Sequence, residues 1–451
     1  MDSEDYKIKF DPLFHEEELS NSDSPSKQNK KTVNSKNNTN QNNLNEVLNV
    51  NQLDESNVKV VPFKITKTRI KCLDIFRGIT LALMINVNAN SGEGVYWFFD
   101  ESEWNGLTPA DCIFPSFLFM MGVAVILAIH IDDNPLAPKI FRIIRRSIII
   151  FALGLVLQMQ EINFYDWKFY RVMGVLQRLG LCYLLVSLAH LLLFRVKFGF
   201  LYQFLFMFSF LLTYVLFTYV YYVPNDCGKG NITPYCFAGS YIDRLIFGDG
   251  HVYIHGITDP EGLLSTLTAV YPVYIGYLYG VILKQYKDHT NKFMLFYSWL
   301  AMSIFNFIIG IIAIYAIGLD PNKKVYSISF AFLVCGISGF CLTLMHIIID
   351  KGSIKYPIIE KVFNPFNWLG TNSLLIYSTS RFFNIVLQEN VKFYSEEYQG
   401  KVSLWTWLFD KAFKSWIAPV KLASFFYSFA IMLIFFLVGW ICVKKGWYLK
   451  I

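Results

Sequence analysis

The chain has 451 residues, of which 54% are hydrophobic, 18% aromatic and only 16% charged, against about 25% charged in soluble globular domains. Mean hydropathy is +0.38, and 22 of the charged residues, 11 acidic and 11 basic, crowd into residues 1–71. The remainder is too apolar for a soluble enzyme, a nucleic-acid binder or a disordered regulator, and the net charge of +6 is read as a determinant of membrane topology rather than of nucleic-acid affinity.

The first residues, MDSEDYKIKF, lack the apolar core of a signal peptide, and residues 21–51 hold eleven Asn among Ser, Lys and Gln. Residues 1–63 are therefore expected to be a disordered cytosolic tail, and 64–451 a membrane domain. Apolar runs follow at 76–90, 112–131, 146–158, 174–194, 198–223, 263–283, 293–317, 325–349, 366–388 and 421–442. Each approaches the ~20 residues that cross a bilayer as helix. The expected fold class is an all-α polytopic membrane protein with about ten transmembrane helices in one bundle. The run at 146–158 spans only if 139–146 joins it, and the amphipathic 403–417 is expected at the membrane surface.

Loops alternate in charge. Lys64, Lys67, Arg69, Lys71 and Arg77 precede or open the first run, and Lys139, Arg142, Arg145 and Arg146 precede the third. Loop 91–111 instead carries Glu93, Asp100, Glu101, Glu103 and Asp111. The positive-inside rule then puts both termini in the cytosol and the acidic loops in the lumen or outside.

Several polar residues are too embedded for ordinary loops. Asp74 and Arg77 share a helix face and either pair with each other or serve a site. Gln177 and Arg178 open the fourth run with Arg171 nearby, and such arginines either snorkel or hold an anion. Asn372 and Ser373 either link helices or line a cavity. In the loop 224–265, Cys227 and Cys236 are placed to form a disulfide around the sequon Asn231-Ile232-Thr233. His251, His255, Asp243, Asp249 and Asp259 have spacing too loose to specify a metal, so none is expected.

Six blocks carry a resemblance: LDIFRGITLALM, YWFFDESEWNGLTPADCIFPSFLFMMG, GVLQRLGLCY, AGSYIDRLIFGDGHVYIH with DPEGLLST, NKKVYSISF, and GTNSLLIY. Together they resemble, in order, the heparan-α-glucosaminide N-acetyltransferase family of lysosomal membrane enzymes in heparan sulfate degradation. The resemblance implies transfer of acetyl from cytosolic acetyl-CoA, as co-substrate, to the amine of a terminal glucosamine on the luminal side. It also implies a lysosomal or other endomembrane location. On this resemblance the Asn-rich tail is expected in place of the family's luminal N-terminal domain and leading helix, and Glu101 stands where the family has its catalytic histidine. The family's companion Asn matches Asn88, with Asn90 the alternative.

An acetylated carboxylate would be a labile mixed anhydride. Direct attack of the amine on acetyl-CoA is therefore expected, with Glu101, or neighbouring Asp100 or Glu103, taking the proton and Asn88 steadying the oxyanion. CoA phosphates need fixed cations, and Arg77, Arg171 and Arg178, with Gln177, are the candidates. Expected partners are the small-molecule or glycan amine, membrane lipid and a second copy of the chain; no nucleic acid is expected. The alternative is a non-catalytic transporter or binder of an anionic, CoA-like or sugar ligand, although an ATP-driven pump is disfavoured by the lack of a Walker motif.

Overall fold

Hydrocarbon offers no water to backbone N–H and C=O groups, so apolar runs close those bonds internally as helix. The computed structural model describes residues 70–90, 94–131, 135–158, 170–253, 257–286, 292–351 and 357–449. The expected tail, 1–63, lies outside the described residues. Thirteen α-helices are present among the described residues. They are α1 (Lys71–Asn88), α2 (Ile113–Ala128), α3 (Leu136–Gln158), α4 (Val175–Leu193), α5 (Gly199–Val215), α6 (Ala238–Phe247) and α7 (Leu263–Tyr286). Then come α8 (Lys292–Tyr315), α9 (Ile328–Met345), α10 (Pro357–Thr371), α11 (Ser373–Ile385), α12 (Leu404–Phe409) and α13 (Val420–Lys445). Two small antiparallel hairpins decorate the loops, pairing β1 (Tyr222–Val223) with β2 (Gly228–Lys229) and β3 (Lys392–Ser395) with β4 (Gly400–Ser403).

The class is all-α and polytopic, and among the described residues seven helices, rather than ten, are long and apolar enough to span on their own sequence. They are α2, α4, α5, α7, α8, α9 and α13, three of them lengthened by adjoining turns. The other three expected spans are helical with identifiable defects. Helix α1 carries Asp74, Arg77 and two Asn, and α3 begins at Leu136 and so includes Arg142, Arg145 and Arg146. The run 366–388 breaks at Asn372 into α10 and α11. The amphipathic segment 403–417 turns its apolar face toward the bundle. Trp405 and Phe409 of α12 and Phe413 beyond it pack their rings around Tyr427 of α13.

Helices α2 and α7 form the centre, each with 72% of its apolar window buried, against 17% for α5 and 28% for α8. Helices in lipid have no hydrophobic drive toward each other, so they gain by bringing backbones close over small residues. A β-carbon on Gly122 of α2 would stand 1.9 Å from the Val273 carbonyl oxygen, and one on Gly276 of α7 would stand 1.9 Å from that of Phe119. The α1–α10 crossing is built alike: β-carbons on Gly78 and Gly370 would meet the carbonyls of Phe366 and Asp74.

The bundle therefore has two chemically different ends. One, the acidic end, gathers loops 94–112, 221–253, 257–262 and 316–327. Its disulfide joins Cys227 to Cys236 as the sequence suggests. Between them Asn231 accepts from the backbone N–H and hydroxyl of Thr233 at 3.1 and 2.9 Å. The other, basic end gathers the start of α1, the end of α9 and the start of α10.

Candidate functional site

At the acidic end the WNGL block is knitted to the NKKVYS block. Gly106 N–H donates to the Pro321 carbonyl at 2.8 Å, and the Asn105 amide donates to Asp320 at 3.1 Å and accepts from Asn322 at 3.0 Å. This places Lys323 against Glu101, Nζ to Oε1 2.5 Å, and 3.7 Å from Oδ1 of Asp111. Asp111 opens the turn into α2 with its side chain fully buried. Its Oδ2 accepts from Ser102 N–H, Thr108 N–H and the Thr108 hydroxyl at 3.2, 3.0 and 2.9 Å. Glu101 is the accessible member, with its side chain 46% exposed against 14% for Lys323. One ammonium thus serves a buried and an exposed carboxylate.

A second cluster grips the segment 257–262. Arg171 binds Asp259 with both guanidinium arms, at 3.0 and 2.6 Å, and also donates to Glu261. Its plane lies over the Tyr253 ring, 4.4 Å from the centroid. Arg178, 1% exposed, donates to the Pro260 carbonyl at 2.6 Å and to the hydroxyls of Ser265 and Thr266. Burial opposes the charge on Glu261, but Arg171 and Arg178 outweigh it and hold the carboxyl below its usual range, with Lys323 adding to the effect. Burial likewise opposes the charge on Arg171, and its two carboxylates reverse that, raising it above its ordinary value.

The remaining sequence candidates lie elsewhere. Gln177 donates to Gln158 at 2.8 Å, tying α4 to α3. Arg77 pairs with Asp74 at 3.2 Å near the basic end, the intrahelical pairing being realised. Asn88 ends α1 with an exposed side chain, and its carbonyl accepts from Asn384 at 3.2 Å. The buried asparagine of that turn is Asn86, which accepts from Ser428. Asn372 donates to the Trp447 carbonyl at 2.8 Å, a helix-linking contact. His251 meets the Tyr170 carbonyl at 2.6 Å, Asp259 is taken by Arg171, and His255 lies outside the described residues. Lys323, Glu261 and Asn384 were not singled out by sequence. The first two sit inside the NKKVYSISF and DPEGLLST blocks, which is the signal that could have found them.

Asp243 has a separate role: its Oδ1 accepts from Leu263 N–H at 2.9 Å, closing the first turn of α7. Burial pushes its carboxyl from 3.8 to about 7, only partly offset by that hydrogen bond. Because the folded-state value is raised, the folded protein holds a proton that the unfolded chain has released between these two values. Stability is then full at the acid end of this window and falls as pH rises through it. Asp243→Asn keeps an acceptor for Leu263 and is expected to flatten that fall, measured as unfolding temperature from about pH 4 to about pH 8. An unchanged slope would assign the pH dependence to other groups.

Residues 69–234, which include Glu101, Asp111, Arg171 and Arg178, match the family described as heparan-alpha-glucosaminide N-acetyltransferase, catalytic. The Mus musculus heparan-alpha-glucosaminide N-acetyltransferase is 30% identical over 360 residues, covering 68% of this chain and 53% of the relative. The Homo sapiens protein of the same name is 29% identical over 361 residues, covering 68% and 52%. The chain spans about half the length of these curated relatives. With the all-α membrane fold and the blocks that frame both polar clusters, these matches show that the chain belongs to the heparan-alpha-glucosaminide N-acetyltransferase family.

Proposed function

We propose that the protein is a transmembrane acetyltransferase that moves acetyl from cytosolic acetyl-CoA directly to an amine, of glucosamine type, on the luminal side of a lysosomal or related membrane. The observation that carries this reading is the exposed Glu101 carboxylate, inside the family-matched region and anchored by Lys323. In the reaction the neutral amine attacks the thioester carbonyl, the C–N bond forms, and the C–S bond breaks to release CoA. Glu101 takes the amine's proton, and the Asn88 amide donates to the carbonyl oxygen as charge develops there. Arg171, Gln177 and Arg178 support the nucleotide site by fixing residues 170–178 and the facing 257–262. Arg77, at the basic end, is where a CoA phosphate would arrive from the cytosol.

Vesicles loaded with glucosamine and given external acetyl-CoA test this. The native chain is expected to leave N-acetylglucosamine inside, with no acetyl-enzyme formed when the amine is withheld. A carboxylate is a weak base toward an amine, so Glu101→Gln is expected to slow transfer by about 10², the low end for general-base help, with acetyl-CoA binding retained. Transfer at the native rate in this variant would remove Glu101 from the chemistry. Passage of label without acetylation would favour a transporter.

A further inference from the structure

Cys72 is the second residue of α1 and is 1% exposed, at the basic end of the bundle. Facing it are His346 and Asp350, four residues apart on the wide turn His346–Lys351 that prolongs α9. His346 Nδ1 stands 2.7 Å from Oδ2 of Asp350, and the Cys72 thiol lies beside the pair. One donor atom from each of the three lies within 4.8 Å of the other two. Among the described residues this is the one trio of His, Cys, Asp or Glu side chains that converges in this way.

We propose that Cys72, His346 and Asp350 form a zinc site that ties the start of α1 to the end of α9. The donor set selects the ion. A thiolate, an imidazole and a carboxylate are the ligands of Zn²⁺, whereas magnesium and calcium take oxygen and disfavour sulfur. Zinc bonds of about 2.0–2.3 Å set tetrahedral donors roughly 3.3–3.8 Å apart, so the His346–Asp350 pair must open from 2.7 Å while wider pairs close, adjustments that side-chain rotation can supply. The carboxylate that now pairs with His346 would turn to the metal. Binding converts the Cys72 thiol to thiolate and releases one proton.

Access and support are both present. The sulfur is sealed from solvent, while His346 and Asp350 keep 14% and 24% side-chain exposure, which opens a route from the basic end. The Trp299 ring packs edgewise on His346, 5.5 Å between centroids, and steadies the imidazole. Three protein ligands leave a fourth position for water.

The test uses the full chain in detergent, stripped with chelator and dialysed against zinc alone or cobalt alone. One zinc per chain is expected, together with the near-ultraviolet thiolate-to-metal band of bound cobalt. Cys72→Ser should abolish that band, and both it and Asp350→Asn should weaken zinc binding at least tenfold, with Cys442→Ser unchanged. A native protein that takes up no stoichiometric zinc, or whose cobalt form lacks the band, overturns the proposal whether or not the variants fold. A band that survives in Cys72→Ser also overturns it.

Discussion

Replacing Arg171 with methionine is expected to destabilise the protein by about 3–5 kcal/mol, the usual consequence of removing one partner from a buried ion cluster. The cost comes less from lost attraction than from what stays behind. Asp259, 3% exposed, and Glu261 would face each other as buried carboxylates with no ion-pair partner in contact, leaving only Arg178 and Lys323 to offset Glu261. Glu261 is held below its usual range in the native protein, so its contribution is present above its ordinary value of 4.5 and is lost as pH falls through its lowered one. The penalty of Arg171→Met should therefore be greatest near neutrality and shrink in acid. Adding Asp259→Asn and Glu261→Gln should recover most of it. Unfolding followed in detergent checks both, and a penalty independent of pH would show that packing over Tyr253, rather than charge, is what Arg171 supplies.

Gly276→Ala is the second large effect. Its new methyl would lie 1.9 Å from the Phe119 oxygen, backbone against backbone, so no rotamer relieves it. The central α2–α7 contact must open, at a cost near or above the top of the ~1–3 kcal/mol typical of overpacking. Gly400→Ala, with only the Tyr398 oxygen at 3.8 Å, is the control and should be nearly silent. Equal melting temperatures for the two variants would mean that the crossing is looser than described.

The fold class was legible because membrane spans are written in composition and length, which local sequence contains. The three spans that failed the simple criterion show what local sequence leaves out. Helix α1 tolerates Asp74 and Arg77 because they pair with each other and because α10 covers its Gly78 face, a contact made with residues nearly 300 positions away. The disulfide was legible since Cys227 and Cys236 are the pair that share a polar loop. For the site, sequence marked Arg171 and Arg178 as embedded cations but could not show that Asp259, Glu261 and the Pro260 carbonyl would close on them. Glu101 emerged only from the resemblance, and Lys323 is one lysine of an adjacent pair until the fold brings it to Glu101 and Asp111.

The central pairing of α2 with α7 also bears on how the chain can be made. Synthesis runs from the amino terminus, so α2 enters the bilayer long before its main partner exists. Its mean hydropathy of 2.1 suits it to stand alone in lipid, and its Gly122 surface exposes little that hydrocarbon rejects. Helix α7, at 1.4, carries buried Ser265, Thr266 and Thr268 and is less suited to wait unaccompanied. It does not have to, because α2 and α4 are already in place when it arrives, offering Gly122 for close approach and Arg178 for the hydroxyls of its first turn. The order of translation thus delivers first the helix that needs no company and later the one that does.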